Sequence, residues 1–369
     1  MIRRLAAVGV KELLQLRRDW RTALTLLGMP VVLLLIYGYA LSFDVENVRL
    51  AVLDRSGTRT SREVVEAFLA SGYFQRVATV RDHDALDRLF DEGTAQAALV
   101  LPADLATETA AGRRAAIQLV LDGADAQTAS TILGYARQIV AATSLELMPA
   151  SLRSPPGVAA RPLVLYNPEL ESSIFLVPGL VAFILMVTSV IATALAVVRE
   201  KERGTMESLR ATPLRALDLL LGKTLPYLLV ASVSAAGSLL LAWALFEVPI
   251  RGSLASVALV TVLFLAGGLG WGVLLSTVAD TQQVAFQLAL LSSMLPTLLL
   301  SGFVFPISSM PPALQWISHI VPARYYIASL RAIVLKAAGP EVWWPDAAAL
   351  VIYGVLVLGL ATVRTVRSL

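Results

Sequence analysis

Cysteine is absent from this chain of 369 residues, which excludes a disulfide framework, a thiolate metal site and a cysteine nucleophile. Histidine is almost absent: His83 and His319 stand alone, too few for a histidine-rich metal cluster. Charge is scarce too, at 15% of residues against 57% hydrophobic and a mean hydropathy of +0.72. Soluble domains carry about a quarter charged residues, so a wholly cytosolic enzyme is excluded. No G-x-x-x-x-G-K-[ST] phosphate loop is present. The nearest approach, Gly222, Lys223 and Thr224, has Leu217 where the first glycine belongs, and no strand precedes it.

What is present is apolar and arranged in blocks. The net charge of +3 does not point to a nucleic-acid partner, because the lysines and arginines flank the apolar blocks instead of gathering on one soluble face. Residues 22–43 carry no charge and, at about 1.5 Å per residue, span roughly 33 Å, enough for a hydrocarbon core of about 30 Å. Before them lies a basic amphipathic stretch, residues 1–21, in which Leu5, Val8, Leu13, Leu16 and Trp20 form a stripe among Arg3, Arg4, Lys11, Arg17, Arg18 and Arg21. That is the pattern of a cytoplasmic helix lying in the headgroup plane. The apolar run exceeds a signal-peptide core and favours an uncleaved anchor, although Ala40 and Ser42 keep a weak small-residue cleavage pattern.

Five further spans are expected at about 174–198, 217–246, 254–278, 284–305 and 347–363. The short segments 1–21, 199–223 and 364–369 hold 6, 6 and 2 basic residues, which the positive-inside rule places in the cytoplasm with both termini. Pro226 reads as a kink in the third span. Gly268 and Gly272 have the small-xxx-small spacing of close helix packing, with a flexible gate as the competing reading. Between the fifth and sixth spans, residues 306–338 mix prolines with amphipathic stretches, as an outer-face interfacial or re-entrant segment does, with Arg324, Arg331 and Lys336 expected to snorkel toward water or phosphate groups.

Residues 44–170 change character and read as an extracytoplasmic α/β domain inserted after the first span. Strands are expected at 48–54, 74–80, 95–102 and 115–123, and helices at 61–71, 82–92 and 124–147. The acids Asp82, Asp84, Asp87, Asp91 and Glu92 lack the glycine-turned spacing of a calcium loop and read as a solvated helix face. Residues 151–173 form a proline-stiffened return to the membrane, with Ser172 or Ser173 capping the second span.

One cytoplasmic segment, Val197 to Lys223, is unlike a random basic loop. Alternating charges leave the second span, Gly204 and Thr205 break the helix, and Thr205 caps a short new helix through Leu209 that Pro213 stops. Met206 and Leu209, offered outward among charges, suit a groove on a soluble partner. A plain topological anchor is the bland alternative. This segment resembles the cytoplasmic loop of ABC transporter permeases of the type-2 exporter family, with a pattern close to RE+E-GT-E-L--TP. Arg199, Glu200, Glu202, Gly204, Thr205, Glu207, Leu209, Thr212 and Pro213 hold the matching positions. The N-terminal elbow is similar to that family's, as is the segment before the last span, where Pro311, Leu314, Gln315, Ile317, Pro322, Tyr325, Arg331 and Lys336 match. Arg324 departs from the small polar residue more usual there.

The resemblance implies a polytopic α-helical membrane protein of six spans, a permease subunit in a bacterial inner membrane without an ATPase site. Two separate ATPase chains would bind ATP and magnesium, so no cofactor is expected on this chain, and a second permease copy or paralogue would complete the complex. Residues 199–216 would form the coupling loop, in which Met206 and Leu209 supply apolar contact while Arg203 and Glu207 set register by charge. The spans hold almost no internal charge, which favours an amphipathic or lipid-like substrate over an ion, and the outer domain has a periplasmic adaptor as a possible partner. The competing classes are a membrane scaffold without an ATPase, which has no use for the whole loop pattern, and an ion-coupled transporter, which needs inverted repeats or buried acids. Single cysteines at Ser61 and Ser208 are expected to report the two sides of the membrane.

Overall fold

The computed structural model describes residues 9–14, 18, 20–40, 47–113, 115–124, 126–147, 166, 171–204 and 216–368. They fall into two compact units, Phe43–Leu163 and the remainder, Met1–Ser42 with Val164–Leu369. A helical stretch at residues 9–14 precedes α1 (Trp20–Ala40), whose apolar part, Leu26–Ala40, is shorter than the later membrane-type helices.

The unit Phe43–Leu163 runs β1 (Val48–Asp54), α2 (Arg59–Ala70), β2 (Phe74–Val80), α3 (His83–Asp91), β3 (Ala97–Leu101), α4 (Leu105–Ala110), β4 (Gln118–Leu121) and α5 (Ala126–Leu147). The sheet order is β2-β1-β3-β4, with β1 parallel to both neighbours and β3 antiparallel to β4. β1 is central, so both faces of VRLAVLD are covered: Leu50 and Val52 join Phe68, Leu99 and Ile132, while Ala51 and Leu53 join Leu86 and Ala98. That is why the strand reads as a near-continuous apolar run instead of an alternation. A capping box starts α2 two residues before the expected position, because Thr58 accepts from the Ser61 amide and the Ser61 hydroxyl accepts from the Thr58 amide. The short α4 is absent from the sequence reading, which has no period to work with over six residues.

The other unit continues with α6 (Ser172–Glu202), α7 (Ala216–Phe246), α8 (Leu254–Ser276), α9 (Gln282–Leu300), α10 (Pro312–Ile317), α11 (Pro322–Lys336) and α12 (Pro340–Ser368). Among the described residues, five helices are long and apolar enough to cross a membrane: Ser172–Glu202, Leu220–Phe246, Leu254–Ser276, Gln282–Leu300 and Pro340–Thr365. Several boundaries differ from the sequence reading. Glu171 occupies the N-cap of α6 with no side-chain cap, so Ser172 is the first helical residue and neither serine caps. α9 stops at Leu300 because Gly302 takes φ +80 beyond it. α12 starts seven residues early, at Pro340, where a missing amide costs nothing in the first turn. The proline-stiffened return, apart from Tyr166 and residues 171–173, lies outside the described residues.

α8 packs against both α6 and α12 and uses its glycines on these two faces. A Cβ on Gly272 would collide with Thr193 and the Val190 carbonyl of α6, and one on Gly268 would sit 3.3 Å from Met186 Sδ. Gly267 and Gly270 meet Tyr353 and Leu358 of α12. Close packing is therefore the reading of these glycines that the structure favours. Thr193 secures the α6–α8 approach by donating to the Leu269 carbonyl at 3.0 Å.

Candidate functional site

The last turn of α6 sends consecutive charged side chains to different parts of the unit. Glu200, only 5% exposed, receives Lys11 of the N-terminal helical stretch at 2.6 Å on Oε1 and Lys223 of α7 at 2.5 Å on Oε2. Both lysines also reach Glu12 Oε1, at 3.3 and 3.1 Å. The four groups alternate in sign around a closed ring of zero net charge, and Glu12 and Lys223 are as buried as Glu200. Burial works to lower the Lys11 ammonium, but its contacts to Glu200 and Glu12 outweigh that and hold it above the ordinary lysine range.

Lys201 turns the other way and donates to the Ser276 and Ala279 carbonyls, at 2.8 and 3.0 Å, supplying a cation to the frayed C-terminal end of α8. Glu202 accepts from the Gln282 amide at 2.7 Å and from the Gln282 side chain, placing a carboxylate at the N-terminus of α9 beside the Thr281 cap. Arg199 is half-buried in the helix, and Arg203 is the exposed C-cap. Gly204 takes φ +70, the left-handed conformation that ends a helix and that glycine adopts without Cβ strain. Thr205, Met206, Glu207, Leu209, Thr212 and Pro213 lie outside the described residues.

Of the loop residues singled out in the sequence, the structure thus brings Glu200 and Glu202 into contacts inside the unit, leaves Arg203 exposed and makes Gly204 the helix stop. Sequence reading missed Glu12 and left Lys223 as an edge charge. Their signals were a lone acid in a basic amphipathic stretch and a lysine inside an apolar helix.

At the other end of α6, roughly 37 Å away for 25 residues at about 1.5 Å each, stands the second group of singled-out residues. Pro322 is buried in the first turn of α11, and the Tyr325 hydroxyl donates to the His319 carbonyl at 2.9 Å. Arg331 does not snorkel outward. It donates to the Gly302 and Phe175 carbonyls at 2.9 and 2.8 Å and lies 3.8 Å over the Phe175 ring, because α11 is packed into the bundle beside the first turn of α6 and the segment that follows α9. Arg324 likewise turns back, onto the Gln315 carbonyl and the Ser318 hydroxyl. Lys336 lies 5.8 Å from the Tyr166 ring.

Between α6, α7, α8 and α11 is a cavity of about 270 Å³ lined by Val181, Ala235, Leu239, Val257, Leu330 and their neighbours. Its threonine, Thr261, is already bonded to the Val257 carbonyl and to the Tyr326 hydroxyl. Apart from the Ser232 hydroxyl, the wall is consequently aliphatic.

The sequence matches the family described as ABC-2 family transporter protein over residues 20–363. It is 32% identical to the probable multidrug ABC transporter permease YbhS of Escherichia coli strain K12, covering 100% of this chain and 98% of that protein. It is 31% identical to the probable multidrug ABC transporter permease YbhR of the same strain, covering 93% of each. The inner membrane transport permease YhhJ, also of that strain, is 27% identical over 98% of this chain and 97% of its own length. A match that runs through nearly every helix, including the turn that carries the ion-pair ring, means that the chain belongs to the ABC-2 family of transporter proteins.

Proposed function

We propose that this chain is the membrane permease subunit of an ATP-driven exporter that moves an amphipathic or lipid-like substrate, such as a drug, out of the cytoplasm or inner leaflet. α1 and the five longer helices make six spans in an inner membrane, with both termini cytoplasmic and the unit Phe43–Leu163 outside. Two ATPase chains supply ATP hydrolysis, a second permease copy or paralogue completes the pair, and an adaptor protein docks on the outer unit.

The observation that carries this reading is the place of residues 199–204. They end a 31-residue helix, and three of them reach Lys11, Lys223, the carbonyls at and just after the end of α8, and the start of α9. A displacement of the loop that follows reaches every one of these segments at once, as coupling to a soluble engine requires. The aliphatic cavity supports an apolar or amphipathic substrate, because it offers no free charge to an ion.

The test is ATP hydrolysis by the complex purified with its ATPase and reconstituted in lipid. Glu207→Arg is expected to reduce substrate-linked hydrolysis at least fivefold while membrane insertion stays normal. Parental activity in that variant counts against the assignment.

A further inference from the structure

We infer that Lys11, Glu12 and Lys223 are positioning residues for energy coupling: the ring they close on Glu200 makes the N-terminal helical stretch, the end of α6 and the start of α7 one mechanical body. The inference rests on the coupling reading above and extends it to residues outside the loop.

The geometry is specific on two counts. Glu200 stands just before residues 205–215 and Lys223 stands after them, so their 2.5 Å ion pair clamps the two roots of that loop directly together. Lys11 and Glu12 then tie a segment about 200 positions away onto the clamp, Lys11 to Glu200 at 2.6 Å and Glu12 to Lys223 at 3.1 Å. The backbone approaches closely at the same place: a Cβ on Gly9 would stand 3.7 Å from the Gly222 carbonyl oxygen and 3.8 Å from Pro226 Cγ.

Apolar side chains would hold these segments together without the desolvation that buried charges suffer. They would also let the segments slide, since apolar contact is non-directional. An alternating ring does not slide. Moving any one segment by a helical turn places like charges together or strands a buried charge, so the ring fixes orientation where hydrophobic packing fixes only proximity. A push delivered to the loop is therefore passed to the amphipathic N-terminal stretch as well as to both helices.

The experiment uses the full complex with its ATPase in lipid nanodiscs and reads two quantities, the rate of ATP hydrolysis and the melting temperature. Glu12→Gln with Lys223→Met removes two opposite charges, keeps the Lys11–Glu200 pair and leaves no charge unpaired. This double variant is expected to melt within about 3 °C of the parent yet to hydrolyse ATP at least fivefold more slowly. Lys223→Arg, which keeps the cation, is expected to retain at least half of the parental rate. Parental hydrolysis in the double variant overturns the inference. So does a loss of hydrolysis that merely follows the loss of folded complex and is shared by Lys223→Arg. Should the parent itself show no ATPase partner, the coupling reading fails first and takes the inference with it.

Discussion

Gly204 shows how much one backbone angle can carry. Its φ of +70 lets α6 stop immediately after its charged turn, and a Cβ there has no neighbour within 4 Å among the described residues, so the cost of a side chain is conformational. Gly204→Ala should destabilise by about 1 kcal/mol, readable as a modest drop in melting temperature in detergent. Gly204→Pro, which cannot reach a positive φ, should cost more and disturb the loop. Gly272 is the opposite case, closed by contact and not by angle. Gly272→Leu drives a side chain into Thr193 and Val190 of α6, and should destabilise by about 1–3 kcal/mol or more. Both glycines stood out in the sequence, one between charges and threonine, the other at a four-residue spacing. Glu12 did not, because its partner Lys223 is 211 positions away and no local pattern encodes that distance. Arg331 was legible as a residue but not in its role. Sequence shows a cation on an amphipathic stretch, and only the fold supplies the Gly302 and Phe175 carbonyls that turn it inward.

At the scale of elements, the apolar runs gave the long helices closely, since hydrocarbon length and helical rise leave little choice. Their ends were less legible, being set by caps, prolines and charges that also occur in loops. α6 is the instructive helix. Its apolar run stops near Val198, yet the helix continues through Glu202, where Glu200, Lys201 and Glu202 each have a partner that only a helical rotation brings into reach. Inserting one alanine after Val198 turns that last segment by about 100° and withdraws Glu200, Lys201 and Glu202 from their partners together. The expected outcome is a protein that inserts into the membrane but whose complex loses ATP hydrolysis. Unchanged hydrolysis would show that the rotation of this turn is immaterial.

For the whole molecule, the division into two units has consequences of its own. Residues 43–163 hold a four-stranded sheet with buried side chains on both faces, Leu50, Phe68 and Leu99 on one and Leu53, Leu86 and Ala98 on the other. Expressed alone, this segment should be water-soluble and melt cooperatively with a mixed helix and strand signal in circular dichroism; an unfolded fragment would refute its independence. The sequence showed this unit by its change in composition and its turn residues, whereas the sheet order depends on pairings between distant strands that no local pattern fixes. Topology is readable by single-cysteine labelling because the chain has no cysteine. The structure changes the choice of reporter: Ser61 is fully buried and donates to Asp54, whereas the Arg59 side chain is 89% exposed. Arg59→Cys should react from outside, and Ser208→Cys only after permeabilisation.

The central claim is that this chain works for an engine it does not contain, and purification from native membranes addresses it most directly. The tagged chain should bring down an ATPase subunit, and the resulting complex should hydrolyse ATP in a manner that Glu207→Arg suppresses at least fivefold. Transport by the chain reconstituted alone, with no ATPase present, would contradict the account.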